Sequence, residues 1–560
     1  MLLFLLLSYC VVFISAFQLR VDPLVLIDQG LVRGLRSSDG TYSSFLGIPY
    51  ASVDLDNPFG PALEHPGFGS DVYNAYYGSI RCPQFTTSVS SSGDEVLDCL
   101  RLNVYSPTYA SVLNPLPVLV WIHGGEFGTG YGGEYGPENL VKQGIIVVTI
   151  NYRLGPYGFM CLDIPAVPGN QGLKDQYEAL VWVRNNIKSF GGNPYNITIA
   201  GQGAGSSSVL LHLYSDKQKV YGKVIAESGT PQNIGTFVEA DTNAAIKLAG
   251  HLGFNTTSTD DALNFLKQTS HELVTAAAVD LDLKLRPCRE KSFSGISNFI
   301  ETDSYSLSNE KKIRNTPVLI GHTRREVSDL TSLYGSNYYK RDPFYEKIKD
   351  NFNLNDDQLI EASNLVRQFY IGDEPVSKAL RTELETFDSD IVYNHPIQRT
   401  ISHLLNENAN PIYEYEFSFV DSSAENRAAN SNEVRYLFKM SNNKIEANDN
   451  NKLITDRVAT LWANFIKYGY RLMNTFICYL FYIFREYFVK NYSIVCFSNP
   501  TPEVNELLPV VWAPVTKNTR PYLVIDLDLD LKSRIYKDRM AFWDLFYVAY
   551  GRYNKYLREC

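Results

Sequence analysis

The stretch NITIAGQGAGSSSV, residues 196–209, decides how the chain is read. An apolar strand (NITIAG) runs into Gly201, and a run of small residues that opens a helix follows Gly205. Between them lies a turn, Gln202-Gly203-Ala204. A strand, a sharp glycine-flanked turn and a helix form the outline of G-x-S-x-G, in which the middle residue is held exposed at the tip. Here that middle residue is Gly203, which has no side chain.

Working outward, apolar strand-like runs alternate with helical segments. PVLVWI (117–122) precedes a glycine loop, and GIIVVTINY (144–152) follows it. In GLKDQYEALVWVRNNI, Leu173, Tyr177, Leu180, Val181 and Ile187 recur with helical spacing. KVIAES (223–228), PVLIG (317–321), IYEYEF (412–417) and PYLVIDL continue the strand series, and DRMAFWDLF reads as a late helix. Uninterrupted apolar strands separated by helices imply an α/β fold: a large, mostly parallel central sheet with helices on both faces.

The 560 residues carry 61 acidic and 51 basic side chains, a formal charge of -10. That balance is mild for the length and gives no reason to expect nucleic acid or an anionic membrane as a partner. The first residues, MLLFLLLSYCVVFISAFQ, are an apolar run ending in small residues. They read as a secretory signal peptide spanning 1–16, followed by one domain over 17–560; a membrane anchor is the alternative, for which the run is short. Export places the mature chain in an oxidising compartment. Cys82 and Cys99 bracket a polar loop, and a bridge there would stabilise by about 3 kcal/mol through loop closure. Cys161, Cys288, Cys478, Cys496 and Cys560 show no evident pairing. Asn196, Asn255 and Asn491 head glycosylation sequons.

One segment breaks the pattern. Residues 470–498 are crowded with Phe, Tyr, Ile and Asn, and their unbroken apolar run is too short to span a bilayer. Removing them joins ANFIKYG, a helix end, to NPTPE, a turn. The working hypothesis is a retained intron translated into an atypical insertion; a real lineage-specific insertion is the alternative. A mature transcript carrying these codons would sink the intron reading.

The motifs together resemble the type-B carboxylesterase/cholinesterase family of α/β-hydrolases: FLGIPYA (45–51), DCLRLNVYSP (98–107), VLVWIHGGEF (118–127), VVTINYRLGPYGF (147–159), PGNQGLKDQYEALVWVRNNIKSFGGNP (168–194) and DRMAFW (538–543). The resemblance spreads over nearly the whole mature chain. It implies the α/β-hydrolase fold, and it places the family's first disulfide on Cys82–Cys99. The family's second disulfide finds no cysteine pair around residues 250–270.

Active members hydrolyse carboxylic esters with a Ser-His-Glu triad. Histidine takes the serine proton, the carboxylate fixes the imidazole, and backbone N–H groups hold the oxyanion. Mapped by motif, the nucleophile position is Gly203, the acid is Glu326 in VLIGHTRREV, and the base position is Asn430 in RAANSNEVRYLF. The oxyanion positions are Gly125, Glu126 and Ala204, with Glu126 where the family usually has a small residue. A Glu126 carboxylate pointing inward would oppose a developing anion. Independently of alignment, the last of the eight histidines is His403, so the triad order Ser…Glu…His finds no base in residues 404–560. Ser206, Ser207 and Ser208 read as helix-packing residues, and His123 as a structural loop histidine.

The resemblance therefore implies a secreted family member that lacks nucleophile and base, acting as an extracellular binding or adhesion-like module. Its expected partner is an extracellular protein or a small apolar ligand, with no cofactor, no metal and no transmembrane anchor. The alternative is a carboxylic ester hydrolase with residual or unconventional activity; a decaying gene is a third reading. The Cys82–Cys99 loop contains no tryptophan of the kind that binds choline in cholinesterases.

Overall fold

A computed structural model describes residues 22–555 apart from 86–94, 305, 329, 336, 422–429, 441–444 and 470–503. The signal segment, the 470–498 insertion, Asn491, Cys478, Cys496 and Cys560 lie outside the described residues.

The core is an 11-stranded sheet. In chain order its strands are β1 (Leu35–Arg36), β2 (Tyr42–Pro49), β3 (Arg101–Pro107), β4 (Leu116–Ile122), β5 (Ile146–Ile150), β6 (Gly192–Gln202), β7 (Lys223–Glu227), β8 (Val318–Thr323), β9 (Ile412–Phe417), β10 (Pro521–Ile525) and β11 (Asp530–Ser533). Their spatial order is β1-β2-β3-β5-β4-β6-β7-β8-β9-β10-β11. Pairing is parallel from β5 through β10 and antiparallel toward both edges. This is the expected α/β architecture, and the apolar runs seen in the sequence coincide with its central strands.

Those strands are apolar throughout because both faces are covered. On β4, Val118, Val120 and Ile122 enter one core while Leu119 and Trp121 enter the other. The period-2 alternation separates the two cores but not inside from outside. The first face is packed by helix α1 (Gln171–Asn186) and helix α2 (Ala204–Tyr214), through Leu173, Leu180, Val183, Val209 and Leu213. The second is packed by helix α3 (Asp449–Tyr468), through Ile454, Val458, Trp462 and Phe465. Gly469 (φ +60°) ends α3 in the left-handed conformation that glycine adopts freely, as a helix stop at this point requires.

On α1 the buried stripe is Leu173, Gln176, Ala179, Leu180 and Val183, whereas Tyr177 and Val181 are half-buried. The sequence reading grouped both of the latter with Leu173, Leu180 and Ile187 on one helical face. The face is rotated because Asp175 also turns inward. It makes a two-pronged ion pair with the buried Arg153 (2.6 and 2.8 Å), whose remaining donors reach the carbonyls of Pro58 and Gly60.

Cys82 and Cys99 are joined, as expected. Cys161 and Cys288, which the sequence left without evident partners, are joined as well. Their separation of 127 residues hides the pairing from any local reading. In the chain-entropy picture so long a loop contributes about 5 kcal/mol. No helix among the described residues is long and apolar enough to cross a membrane.

Candidate functional site

The site sits where the central parallel strands end. β6 and β7 run in register to Gln202 opposite Glu227, and the Gly203 N–H donates to the Glu227 carbonyl (2.8 Å). The chain then turns abruptly into α2. Gly203 has φ 58° and ψ -117°, a conformation costly for any residue with a Cβ. The turn needs glycine again at position 205, where a Cβ would lie 2.0 Å from the Ile122 carbonyl oxygen. At Gly203 itself a Cβ would meet nothing within 4 Å. The tip is open space, with room for a side chain.

Glu326 follows β8 and is buried, and every oxygen is engaged. Oε1 accepts from the Ser228 hydroxyl (2.7 Å), the Thr323 N–H (2.7 Å) and the Thr323 hydroxyl (3.0 Å). Oε2 accepts from Asn430 Nδ2 at 2.6 Å. The structure thus brings Asn430 onto the Glu326 carboxylate, the contact a triad histidine makes through its Nδ1–H. The other end of the amide is also tied: Gln202 Nε2 donates to Asn430 Oδ1 (2.6 Å). Gln202, Asn430, Glu326 and Ser228 form one chain of hydrogen bonds running beside the strand-turn-helix elbow at Gly203. Burial pushes the Glu326 carboxyl above its ordinary range, against the pull of these donors.

Two further carboxylates, unforeseen from sequence, lie beneath this chain. Glu227 accepts from Trp462 Nε1 (2.7 Å), and Glu433 accepts from the Tyr415 hydroxyl (3.3 Å). Each is fully buried, and the second oxygen of each has no hydrogen-bond partner among the described residues. Desolvation raises both, and for Glu433 the neighbouring Glu227 and Glu326 charges add to it.

The glycine loop after β4 completes the site. His123 stacks on Tyr152 (4.4 Å) and shares a contact with the Gly124 carbonyl (2.9 Å). Burial lowers its pKa to about 4, so it stays neutral as a structural residue. Glu126 turns outward: its carboxylate meets Arg286 (2.7 Å) and its side chain is 83% exposed. The N–H groups of Gly125, Glu126 and Ala204 have no acceptor among the described residues. Ser206 bonds the Gly229 carbonyl (2.6 Å) and Ser208 receives Gln176 (3.1 Å), both fully buried. Neither is placed as a substitute nucleophile.

A pocket of about 390 Å³ opens beside the elbow, lined by Arg81, Gln84, Gly125, Thr129, Glu134 and Gln202 among others. Tyr131, Tyr135, Val434 and Met440 contribute to the same lining. Of the sequons, Asn255 is exposed. Asn196 is half-buried on β6, its amide donating to the Lys467 carbonyl (3.2 Å) and accepting from Lys223. No group of His, Cys, Asp and Glu suited to a metal occurs among the described residues.

The model of the Carboxylesterase family matches residues 21–543. The chain belongs to the carboxylesterase family. Among its relatives, it is 30% identical to Esterase FE4 of Myzus persicae over 465 residues, covering 76% of this chain and 80% of that one. It is 31% identical to Juvenile hormone esterase of Heliothis virescens over 427 residues, 70% and 73% of the two chains. Against Bile salt-activated lipase of Homo sapiens the identity is 26% over 563 residues, 94% and 70% of the two. In this carboxylesterase-family chain Ser228 holds Glu326, Gly203 sits at the tip of the turn, and the Asn430 amide donates to Glu326. Ser228 and Gln202 were missed from sequence; each directly follows or ends a central strand, which is the one signal that pointed to them.

Proposed function

We propose that this chain is an exported carboxylesterase-family protein that does not hydrolyse esters and instead uses the pocket beside the elbow to bind a small polar ligand. One observation carries the reading: Asn430 occupies the Glu326 carboxylate through a 2.6 Å hydrogen bond. A carboxamide has no useful proton affinity near neutral pH, and Gly203 offers no atom to acylate. Without nucleophile and base, only binding and oxyanion contributions remain, orders of magnitude below a complete triad. The polar lining, with one guanidinium, one carboxylate and two carboxamides, supports a hydroxylated or zwitterionic ligand over an apolar one. Export is supported by two disulfides.

The relatives' names favour the opposing reading, an ester hydrolase of unconventional mechanism. A fluorophosphonate probe separates the two. The secreted protein is expected to stay unlabelled while an active relative labels stoichiometrically. Stoichiometric labelling of any serine here would overturn the proposal.

A further inference from the structure

The glycine loop holds two consecutive non-glycine residues in the left-handed region, Glu126 (φ 55°) and Phe127 (φ 61°). Each costs on the order of 1–3 kcal/mol and persists only where its surroundings fix it. Phe127 is fixed from within: its ring is buried against Phe159 (4.9 Å), and its carbonyl accepts from the Gly155 N–H (2.8 Å). Glu126 is gripped from outside the loop. Arg286 Nη1 donates to the Glu126 carbonyl (2.5 Å) while Nη2 meets its carboxylate (2.7 Å).

The arginine is well anchored for this. Two residues on, Cys288 is bonded to Cys161, and its backbone exchanges two hydrogen bonds with the buried Asn170 side chain (2.7 and 2.9 Å). Gly125 lines the pocket beside the elbow and Glu126 does not. An exposed ion pair alone is worth little. Here one prong of the fork holds backbone, so the contact fixes main-chain conformation as well as the direction of a charge.

We propose that Arg286 is a positioning residue, a latch that holds the glycine loop in shape and parks the Glu126 carboxylate outside the elbow pocket. The latch acts whether or not the elbow binds or hydrolyses anything. It explains how the loop carries an acid at its third position without placing negative charge beside Gly203.

Two measurements on the full oxidised chain test it. In amide hydrogen exchange, Arg286→Ala is expected to speed exchange across residues 125–130 by about tenfold or more, leaving β6 unchanged. Glu126→Gln, which keeps the carbonyl contact, stays near wild type, and Arg286→Lys, which keeps charge but not the fork, falls between. The charge is read with a thiol introduced by Gly203→Cys, its pKa followed by alkylation rate against pH. Glu126→Gln should lower that pKa more in the Arg286→Ala background than in the latched protein. A difference of half a unit is about threefold in thiolate at neutral pH. Unchanged exchange in Arg286→Ala, or equal effects of Glu126→Gln in the two backgrounds, overturns the proposal. Should Arg286→Ala fail to fold, Arg286→Lys serves as the unlatched background for both readouts.

Discussion

Introducing a hydroxyl at position 203 and an imidazole at position 430, one at a time, is the sharpest test of how the site works. Gly203→Ser places a hydroxyl in open space, so no clash opposes it. The backbone opposes it: φ 58° and ψ -117° cost a residue with a Cβ about 1–3 kcal/mol, offset by up to about 1 kcal/mol from the lost flexibility of glycine in the unfolded chain. The single variant should therefore be destabilised by no more than about 3 kcal/mol and show no turnover of a short-chain aryl ester above buffer. Adding Asn430→His puts an imidazole where the amide now donates to Glu326 at 2.6 Å. General base catalysis is worth roughly 10²- to 10⁴-fold, so the double variant should exceed the single by that range. Glu126→Gly on top should change little, because the carboxylate already points away to Arg286. Substantial hydrolysis by Gly203→Ser alone would show that another base reaches the tip. A gain of more than a few-fold from Glu126→Gly would show that the charge is not parked outside. A folded but silent double variant would refute the inference that the elbow keeps a working geometry.

The remaining predictions concern the surface and the buried acids. Glycopeptide mapping should find Asn255 occupied and Asn196 bare, since the Asn196 amide is held between Lys467 and Lys223; a glycan on Asn196 would show that β6 is glycosylated before it folds. Burial raises Glu227, Glu326 and Glu433, so the folded chain holds their protons more tightly than the unfolded chain does. Their contribution is present at and below the ordinary glutamate range and is lost as pH rises through the raised values. The melting temperature should therefore fall toward and above neutral pH, and Glu433→Gln should flatten the fall; an unaltered slope in that variant would count against the buried pair as its source.

Much of the fold was legible in the sequence because the central strands are covered on both faces. A strand such as β4, with Val118 and Val120 in one core and Leu119 and Trp121 in the other, has to be apolar at every position and stands out. The elbow was legible for a local reason: a turn this tight needs its glycines. What stayed hidden depends on contacts distant in sequence. The Cys161–Cys288 bridge spans 127 residues, and the Arg286 grip on Glu126 spans 160. The burial of Glu227 and Glu433 follows from how α3 and β9 lay Trp462 and Tyr415 against them. The tilt of α1 was misjudged because hydrophobic spacing cannot register the inward Asp175 that Arg153 satisfies.

On the function we propose, the departures from a hydrolytic site are each compensated where they occur, and this bears on whether the chain is a functional protein or a relic. Glycine at the tip of the turn occupies a conformation that strains other residues, so Gly203 holds it without that cost. Asn430 leaves the Glu326 carboxylate no orphaned oxygen, because its amide donates to Glu326 and receives Gln202. The acid in the glycine loop is paired with Arg286. A broken pair at such a site would leave a buried carboxylate without its donor, at a cost of about 1–3 kcal/mol or more. Around Glu326 both oxygens are engaged, and local consistency of this sort marks a sequence that still specifies one structure; Glu227 and Glu433 each keep one oxygen without a partner among the described residues. The compensation extends to the pocket wall, where Gln202 both closes the hydrogen-bond chain and lines the cavity. On the function we propose, the Asn430 and Gln202 carboxamides present donors and acceptors that need no proton transfer, which suits recognition of a ligand and not its cleavage.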